Sequence, residues 1–181
     1  AFKTIPMLDK FIPIKIYYFL DLIRFNKPIG FLLLMWPCWF GLAYSNKYYY
    51  DLIYLYFLFF VGSFLMRSAG CIINDIIDIK IDRQVKRTCN RPLASKKINI
   101  LSAYIFIFVL LLLSFIILIQ FSILSIIIGL CSLPIIVLYP LMKRITHWPQ
   151  LFLGLTFNWG IIMGWTSVTN DVSIEPIVLY L

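Results

Sequence analysis

Three acidic residues near the middle of the chain are spaced for shared chemistry. Asp75, Asp78 and Asp82 lie in the stretch N-D-I-I-D-I-K-I-D, directly after a long apolar run. If the helix of that run continues through them, Asp78 lies about 60° and Asp82 about 20° from Asp75 around the helix axis. The three carboxylates would then share one helix face, with Asn74 on its flank.

Basic residues follow these acids at once, at Lys86, Arg87 and Arg91. Mg²⁺ in proteins takes one or two carboxylates together with phosphate oxygens and water, and Lys and Arg hold the remaining phosphate charge. The pattern therefore favours a site for a Mg²⁺-bound diphosphate. The predicted metal ligands are Asn74, Asp75, Asp78 and Asp82. The alternative is an ordinary charged loop between membrane helices, in which the acids and bases pair with each other.

The composition indicates which kind of fold must position these residues. Of the 181 residues, 62% are hydrophobic and 18% aromatic, which is too apolar for a small soluble domain. Long uncharged runs predict an all-α, polytopic transmembrane helix bundle embedded in a lipid bilayer. The net charge of +8 fits cytoplasmic loops and lipid headgroups. Because no array of basic and aromatic residues is present, nucleic-acid binding is not predicted.

The apolar runs predict five complete spans and the start of a sixth within one domain covering residues 1–181. The spans are placed at about 28–44, 52–73, 99–119, 122–140 and 149–167, and a sixth apolar run begins at Pro176. A charged stretch at 11–24 is too short to span and predicts an interfacial helix. Alternation of the spans places the site loop at 74–97 on the same side as 141–147. Both are basic, so the positive-inside rule makes that side cytoplasmic or mitochondrial matrix.

Two further residues could contribute charge to a site. Arg67 lies within the second span, and an ionisable group at that depth normally faces a polar cavity or a partner. It could serve as a cation for an anionic substrate group, or it could snorkel or pair with a neighbouring helix. His147 is the only histidine; it could act as a general base, although a lone interfacial histidine is more often structural.

The full acidic-basic stretch resembles the UbiA family of membrane prenyltransferases, whose first aspartate motif reads N-D-x-x-D-x-x-x-D. The extension V-K-R-T-x-N-R-P-L-A, here at 85–94, is typical of the branch that acts on 4-hydroxybenzoate. Two other blocks agree with that branch, R-F-N-K-P-I-G at 24–30 and Y-P-L-M-K-R-I-T-H-W-P-Q-L-F-L-G at 139–154. The resemblance covers roughly residues 20–168. The family often has an acid where this chain has Asn26, so no charged role is expected there.

The resemblance implies a Mg²⁺-dependent enzyme that transfers a polyprenyl group from polyprenyl diphosphate to 4-hydroxybenzoate, in ubiquinone biosynthesis. Asp75, Asp78 and Asp82 are the implied catalytic residues. The predicted substrate contacts are Asn74, Lys86, Arg87, Arg91, Arg67, Arg24, Lys143, Arg144 and Tyr139. The acceptor carboxylate needs a cation, for which Arg67, Arg24 and Arg144 are candidates. The family's second aspartate motif would lie beyond Leu181, so we expect the isolated chain to be inactive.

Other functions stay open at this point. A related family member with a haem O, menaquinone or chlorophyll acceptor would share the same motif. A fragment of a cation transporter could also carry acidic residues on a membrane helix. A CDP-alcohol phosphotransferase is disfavoured, because its D-x-x-D-G-x-x-A-R pattern needs a glycine where Ile79 stands.

Overall fold

The computed structural model describes residues 13–45, 51–145 and 148–180, and this part of the chain contains helices and no strand. The helices are α1 (Ile14–Leu22), α2 (Ile29–Tyr44), α3 (Asp51–Ile77), α4 (Ile79–Asp82), α5 (Ile100–Leu118), α6 (Ile123–Ile145), α7 (Pro149–Thr169) and α8 (Ile174–Tyr180). The predicted all-α fold is confirmed.

Three helices are long and apolar enough to cross a membrane, over Leu52–Ile77, Ile100–Leu118 and Gln150–Thr169. Shorter apolar helices cover Ile29–Tyr44 and Ile123–Ile136. These five segments match the five predicted spans within a few residues, except that the second span continues farther than predicted, to Ile77. The sixth apolar run begins within α8. The protein is therefore an integral membrane protein.

Local sequence explains several helix boundaries. α2 begins directly after Pro28 and α7 begins at Pro149, because the fixed φ of proline suits the start of a helix. α7 ends at Thr169, and the next residue, Asn170, has a left-handed backbone with φ 52°; asparagine tolerates that conformation better than most residues. The predicted break near Gln120 is confirmed, since α5 and α6 are separated there.

The chain forms two compact units. The first comprises Ala1–Pro28 and Ser68–Val109. In this unit, the rings of Phe19 on α1 and Phe106 on α5 pack edge to face, with 5.1 Å between their centroids. Lys97 Nζ lies 5.2 Å from the ring centroid of Tyr18. α1 coincides with the predicted interfacial helix, of which residues 11 and 12 lie outside the described part; its place at a membrane interface stays a prediction.

The second unit comprises Ile29–Arg67 and Leu110–Leu181, and α2 and α7 touch there backbone to backbone. A methyl group at Gly41 would overlap the carbonyl oxygen of Ile161, and one at Gly164 would overlap that of Cys38. Small residues at such positions let membrane helices approach closely. The α6–α7 pair adds hydrogen bonds, among them Trp159 Nε1 to the Ile128 carbonyl at 2.9 Å.

Candidate active site

The first unit holds a cluster of paired charges at the end of α3, centred on Asp75. The Asp75 side chain is only 3% exposed, yet its Oδ1 accepts hydrogen bonds from two arginines. Arg24 Nη2 lies 2.7 Å from this oxygen and Arg91 Nη1 lies 3.0 Å from it. A buried carboxylate is costly unless it is paired, and these two guanidiniums supply the pairing.

The turn after α1 places Arg24 in this cluster. Arg24 has a left-handed backbone with φ 58°, and its amide donates to the Asp21 carbonyl at 3.0 Å. Burial alone lowers the pKa of the Arg24 guanidinium, but Asp75, Cys71 and Asp82 together outweigh that effect, and the pKa stands above its ordinary value. Arg24 is therefore a permanent cation, and in this structure it is committed to Asp75.

The loop between α4 and α5 places Arg91. Pro92 and Leu93 are buried, and Ser95 Oγ donates to the Arg91 carbonyl at 2.8 Å. Arg91 Nη1 then reaches Asp82 Oδ2 at 2.7 Å in addition to Asp75. One guanidinium nitrogen thus bridges two carboxylates that are seven positions apart.

The acidic motif is not one continuous helix, which corrects the sequence prediction. α3 ends at Ile77, and Asp78 has φ −90° and ψ 4° before α4 begins at Ile79. This backbone angle lies outside the helical region, so the helix is interrupted at Asp78. The change is local, because the Asp78 amide still donates to the Asn74 carbonyl at 2.9 Å.

The structure brings together only part of the predicted set. The ion pairs join Asp75 and Asp82 with Arg24 and Arg91. The neighbouring Asn74 and Asp78 are half-buried, whereas Lys86 and Arg87 are exposed. Tyr139, Lys143 and Arg144 belong to α6, but their side chains lie outside the described part, as does His147. The pairing of acids with bases, expected only from the charged-loop alternative, is therefore observed for Asp75 and Asp82.

In the second unit, Arg67 has a different environment. Its guanidinium lies over Gly30, where an added methyl group would be 2.6 Å from Arg67 Nε. Within the described residues no carboxylate forms an ion pair with Arg67. An ion pair with a neighbouring helix, one of the three possibilities for this residue, is thus not seen in that part of the chain.

The second unit also contains an apolar cavity of about 420 Å³. Residues of α2, α3, α5, α6 and α7 line it, including Leu58, Phe59 and Met163. Ser114 also lines it, and its buried hydroxyl has no hydrogen-bond partner in the described part of the chain. The serine was not predicted, because a serine within an apolar run gives no local signal.

Comparison with known proteins decides the family. Residues 34–181 match the model of the UbiA prenyltransferase family. The chain belongs to that family. Relatives named 4-hydroxybenzoate polyprenyltransferase, mitochondrial, include that of Rattus norvegicus, 46% identical over 162 residues, 88% of this chain and 42% of the relative. That of Aedes aegypti is 44% identical over 152 residues, 83% of this chain and 34% of the relative.

A bacterial relative of this UbiA-family chain is the 4-hydroxybenzoate octaprenyltransferase of Blochmanniella pennsylvanica. It is 40% identical over 167 residues, 92% of this chain and 57% of the relative. The chain thus spans about a third to somewhat more than half of these relatives. A solved structure, the apo form of a UbiA homolog from Aeropyrum pernix K1, has the same fold. Its TM-score is 0.66 at 22% identity, over 82% of this chain and 55% of that chain.

The aspartates of this UbiA-family chain fit Mg²⁺ in their donor chemistry. Asp75 and Asp82 each direct a carboxylate oxygen at the same cationic nitrogen of Arg91. Among the residues that the structure describes, no three His, Cys, Asp or Glu side chains form a metal-binding group. Mg²⁺ normally takes one or two carboxylates and fills its remaining positions with phosphate oxygens and water. Two carboxylates are therefore enough for a metal that arrives with a diphosphate.

Proposed function

We propose that the full-length protein transfers a polyprenyl group from a polyprenyl diphosphate to 4-hydroxybenzoate, a step of ubiquinone biosynthesis. The observation that carries this proposal is the cluster of Asp75, Asp82, Arg24 and Arg91 at the end of a membrane helix. Relatives that are 40–46% identical and are named for this reaction support it.

The cluster supplies both kinds of group that a departing diphosphate needs. Mg²⁺, when bound, neutralises the diphosphate as a Lewis acid, and Asp75 and Asp82 would hold it. Arg91 orients the phosphate oxygens and stabilises the charge that develops on them, while Arg24 stays paired with Asp75. Exposed Lys86 and Arg87 attract the anion to the loop from solution.

The reaction breaks the bond between the allylic carbon and the diphosphate oxygen, and the electron pair leaves with the diphosphate. The ring carbon of 4-hydroxybenzoate next to the hydroxyl forms the new carbon–carbon bond, and its proton is then lost. The allylic fragment is cation-like, so it needs an environment without water. The apolar cavity of the second unit has the chemistry to hold an isoprenoid chain but not a diphosphate.

Arg67 is the favoured cation for the acceptor carboxylate. Of the candidates from the sequence, Arg24 is paired with Asp75, whereas Arg67 has no ion pair with a described residue. An arginine fork suits a carboxylate. The positive-inside rule further favours a cytoplasmic or matrix location for the basic loop between α4 and α5, in a bacterial or mitochondrial inner membrane.

The test is prenyl transfer by the full-length protein in membranes, with Mg²⁺, a polyprenyl diphosphate and radiolabelled 4-hydroxybenzoate. Asp75→Asn should lower the rate of labelled lipid formation by at least about 100-fold, the scale of losing one electrostatic group of a site. Asp21→Asn, which changes an exposed side chain of α1, is the matched control and should leave the rate unchanged.

Each other outcome has a distinct meaning. Mg²⁺-dependent binding of the diphosphate without product would indicate another acceptor, as in the haem O, menaquinone or chlorophyll branches. Ion flux through liposomes without any prenyl transfer would favour the cation transporter. Equal rates for Asp75→Asn and Asp21→Asn, with unchanged thermal unfolding, would remove Asp75 from the site.

A further inference from the structure

Arg91 occupies the position between the two carboxylates that a bound cation would need. Its Nη1 lies 3.0 Å from Asp75 Oδ1 and 2.7 Å from Asp82 Oδ2. Arg24 approaches the same oxygen of Asp75 through its Nη2. Within the described residues, Arg24 makes no hydrogen bond to Asp82. The two arginines of the cluster therefore differ, since only Arg91 competes for both oxygens that a metal would use.

In the ion pair between Arg91 and Asp75, Arg91 is the side chain that can move away. Its side chain is 29% exposed, whereas that of Asp75 is 3% exposed. The loop around it is anchored through its backbone and through buried Pro92 and Leu93. The guanidinium can therefore rotate toward solvent or an incoming ligand without unpacking the loop.

The charge of the cluster determines which ligands can enter. Asp75 and Asp82 balance Arg24 and Arg91, so the four paired side chains are neutral together. A divalent cation entering alone would add two positive charges beside a carboxylate that is nearly inaccessible to water, and a diphosphate alone would face the two aspartates. Excess charge in such an environment is unfavourable. A metal and a diphosphate that enter together largely cancel each other's charge.

We propose that Arg91 is an exchangeable cation that competes with the divalent metal for Asp75 and Asp82 and moves to the phosphate oxygens when the diphosphate enters. Arg91 acts as a positioning residue that makes metal and diphosphate bind cooperatively, so that each strengthens the binding of the other. Metal binding by itself is weak as a result. This inference rests on the proposed function.

The experiment measures Mn²⁺ binding to the full-length protein in detergent by electron paramagnetic resonance of the free ion, with no prenyl substrate present. Arg91→Gln should bind Mn²⁺ at least about tenfold more tightly than the wild type, the scale of one charge-assisted pair. Labelled pyrophosphate, titrated at fixed Mn²⁺ and corrected for the complex formed without protein, should bind the variant at least about tenfold more weakly.

Arg83→Gln is the matched control, since it removes one positive charge from the same loop. Arg83 Nε donates to the Ala94 carbonyl at 3.3 Å, and no described carboxylate forms an ion pair with Arg83. The Mn²⁺ affinity of Arg83→Gln should remain close to that of the wild type. An equal gain in Arg83→Gln and Arg91→Gln would overturn the proposal, because the gain would then reflect only the overall charge of the loop.

The remaining outcomes also decide the matter. If Arg91→Gln binds Mn²⁺ no more tightly than the wild type, the exchange is wrong, while prenyl transfer by the wild type would leave the proposed function intact. If neither Arg91→Gln nor Arg91→Lys folds, the guanidinium is needed for the loop and cannot exchange. If no protein binds Mn²⁺ even with pyrophosphate, the proposed function fails as well.

Discussion

The charged cluster of the first unit and the α2–α7 contact of the second are stabilised in opposite ways. The cluster depends on charged side chains that come from three separate segments, at Arg24, Asp75 and Arg91, and the two arginines are long. The helix contact depends on the absence of side chains at Gly41 and Gly164. A long charged side chain can exchange its partner, whereas a carbonyl packed against a glycine has no other position. We therefore expect rearrangement in the first region and rigidity in the second.

Gly164→Ala should break the rigid side of this comparison and have the largest effect on stability. Its methyl group would overlap the Cys38 carbonyl oxygen, and backbone cannot move aside as a side chain can. We expect a loss of about 3 kcal/mol in the free energy of unfolding, at the upper end for overpacking. Thermal unfolding in detergent measures it.

Gly154→Ala is the control for that substitution on the same helix. Nothing lies within 4 Å of a methyl group at this position, so alanine should be neutral or stabilise the helix by up to about 1 kcal/mol. Equal melting temperatures for the two variants would show that α2 and α7 do not approach as closely as described.

Arg67→Gln sharpens the comparison, because it tests a charged residue of the second unit. If Arg67 binds the acceptor carboxylate, the loss should be about 2 kcal/mol, or about 30-fold in KM for 4-hydroxybenzoate, the scale of a charge-assisted hydrogen bond. The KM for the polyprenyl diphosphate should change little. Initial rates of the full-length enzyme at varied acceptor concentration measure both values.

An acceptor without a carboxylate is the control for Arg67. Phenol, if it is turned over at all, should react at the same rate with the wild type and with Arg67→Gln. Equal losses for phenol and 4-hydroxybenzoate would mean that Arg67 supports the helix packing around Gly30 and does not bind the acceptor.

The smallest effect should come from a hydroxyl of the apolar cavity. Ser114 Oγ is buried without a partner among the described residues, so Ser114→Ala should leave the free energy of unfolding unchanged or raise it by about 1 kcal/mol. Ser125→Ala is the matched comparison, since Ser125 Oγ lies 3.0 Å from Thr166 Oγ1. It should lower the free energy of unfolding by about 1 kcal/mol, and the reverse order in thermal unfolding would contradict this account.

The predictable and unpredictable parts of the molecule differ in the range of the interactions involved. The helix positions could be predicted because an apolar run and its flanking polar residues are local signals. The pairing of Arg24 with Asp75 could not, because these residues are separated by 51 positions and meet only through tertiary structure. The turn at Asp78 was missed for a related reason, since an acidic residue after an apolar helix can also continue that helix.

Candidate residues were predicted more reliably than their partners. Residue type and the family motif identified Asp75, Asp82 and Arg91 as members of one polar site, and the structure brings these three together. The motif did not indicate that Arg91 would face the acids while Lys86 and Arg87 face solvent. Which basic residues face the acids depends on the conformation of the loop, in which Leu93 is buried. Residue spacing does not encode that conformation.

The left-handed backbone of Arg24 has a consequence for attempts to stabilise this protein by mutation. A non-glycine residue with φ 58° costs about 1–2 kcal/mol relative to the ordinary conformation, and glycine at that position would avoid the cost. Arg24→Gly would nevertheless delete a guanidinium bound to Asp75, and removing a partner of a buried carboxylate destabilises by up to about 3–5 kcal/mol, more than the backbone change restores. Libraries for a robust variant should therefore hold position 24 fixed, because the backbone cost there is smaller than the loss of a partner for buried Asp75.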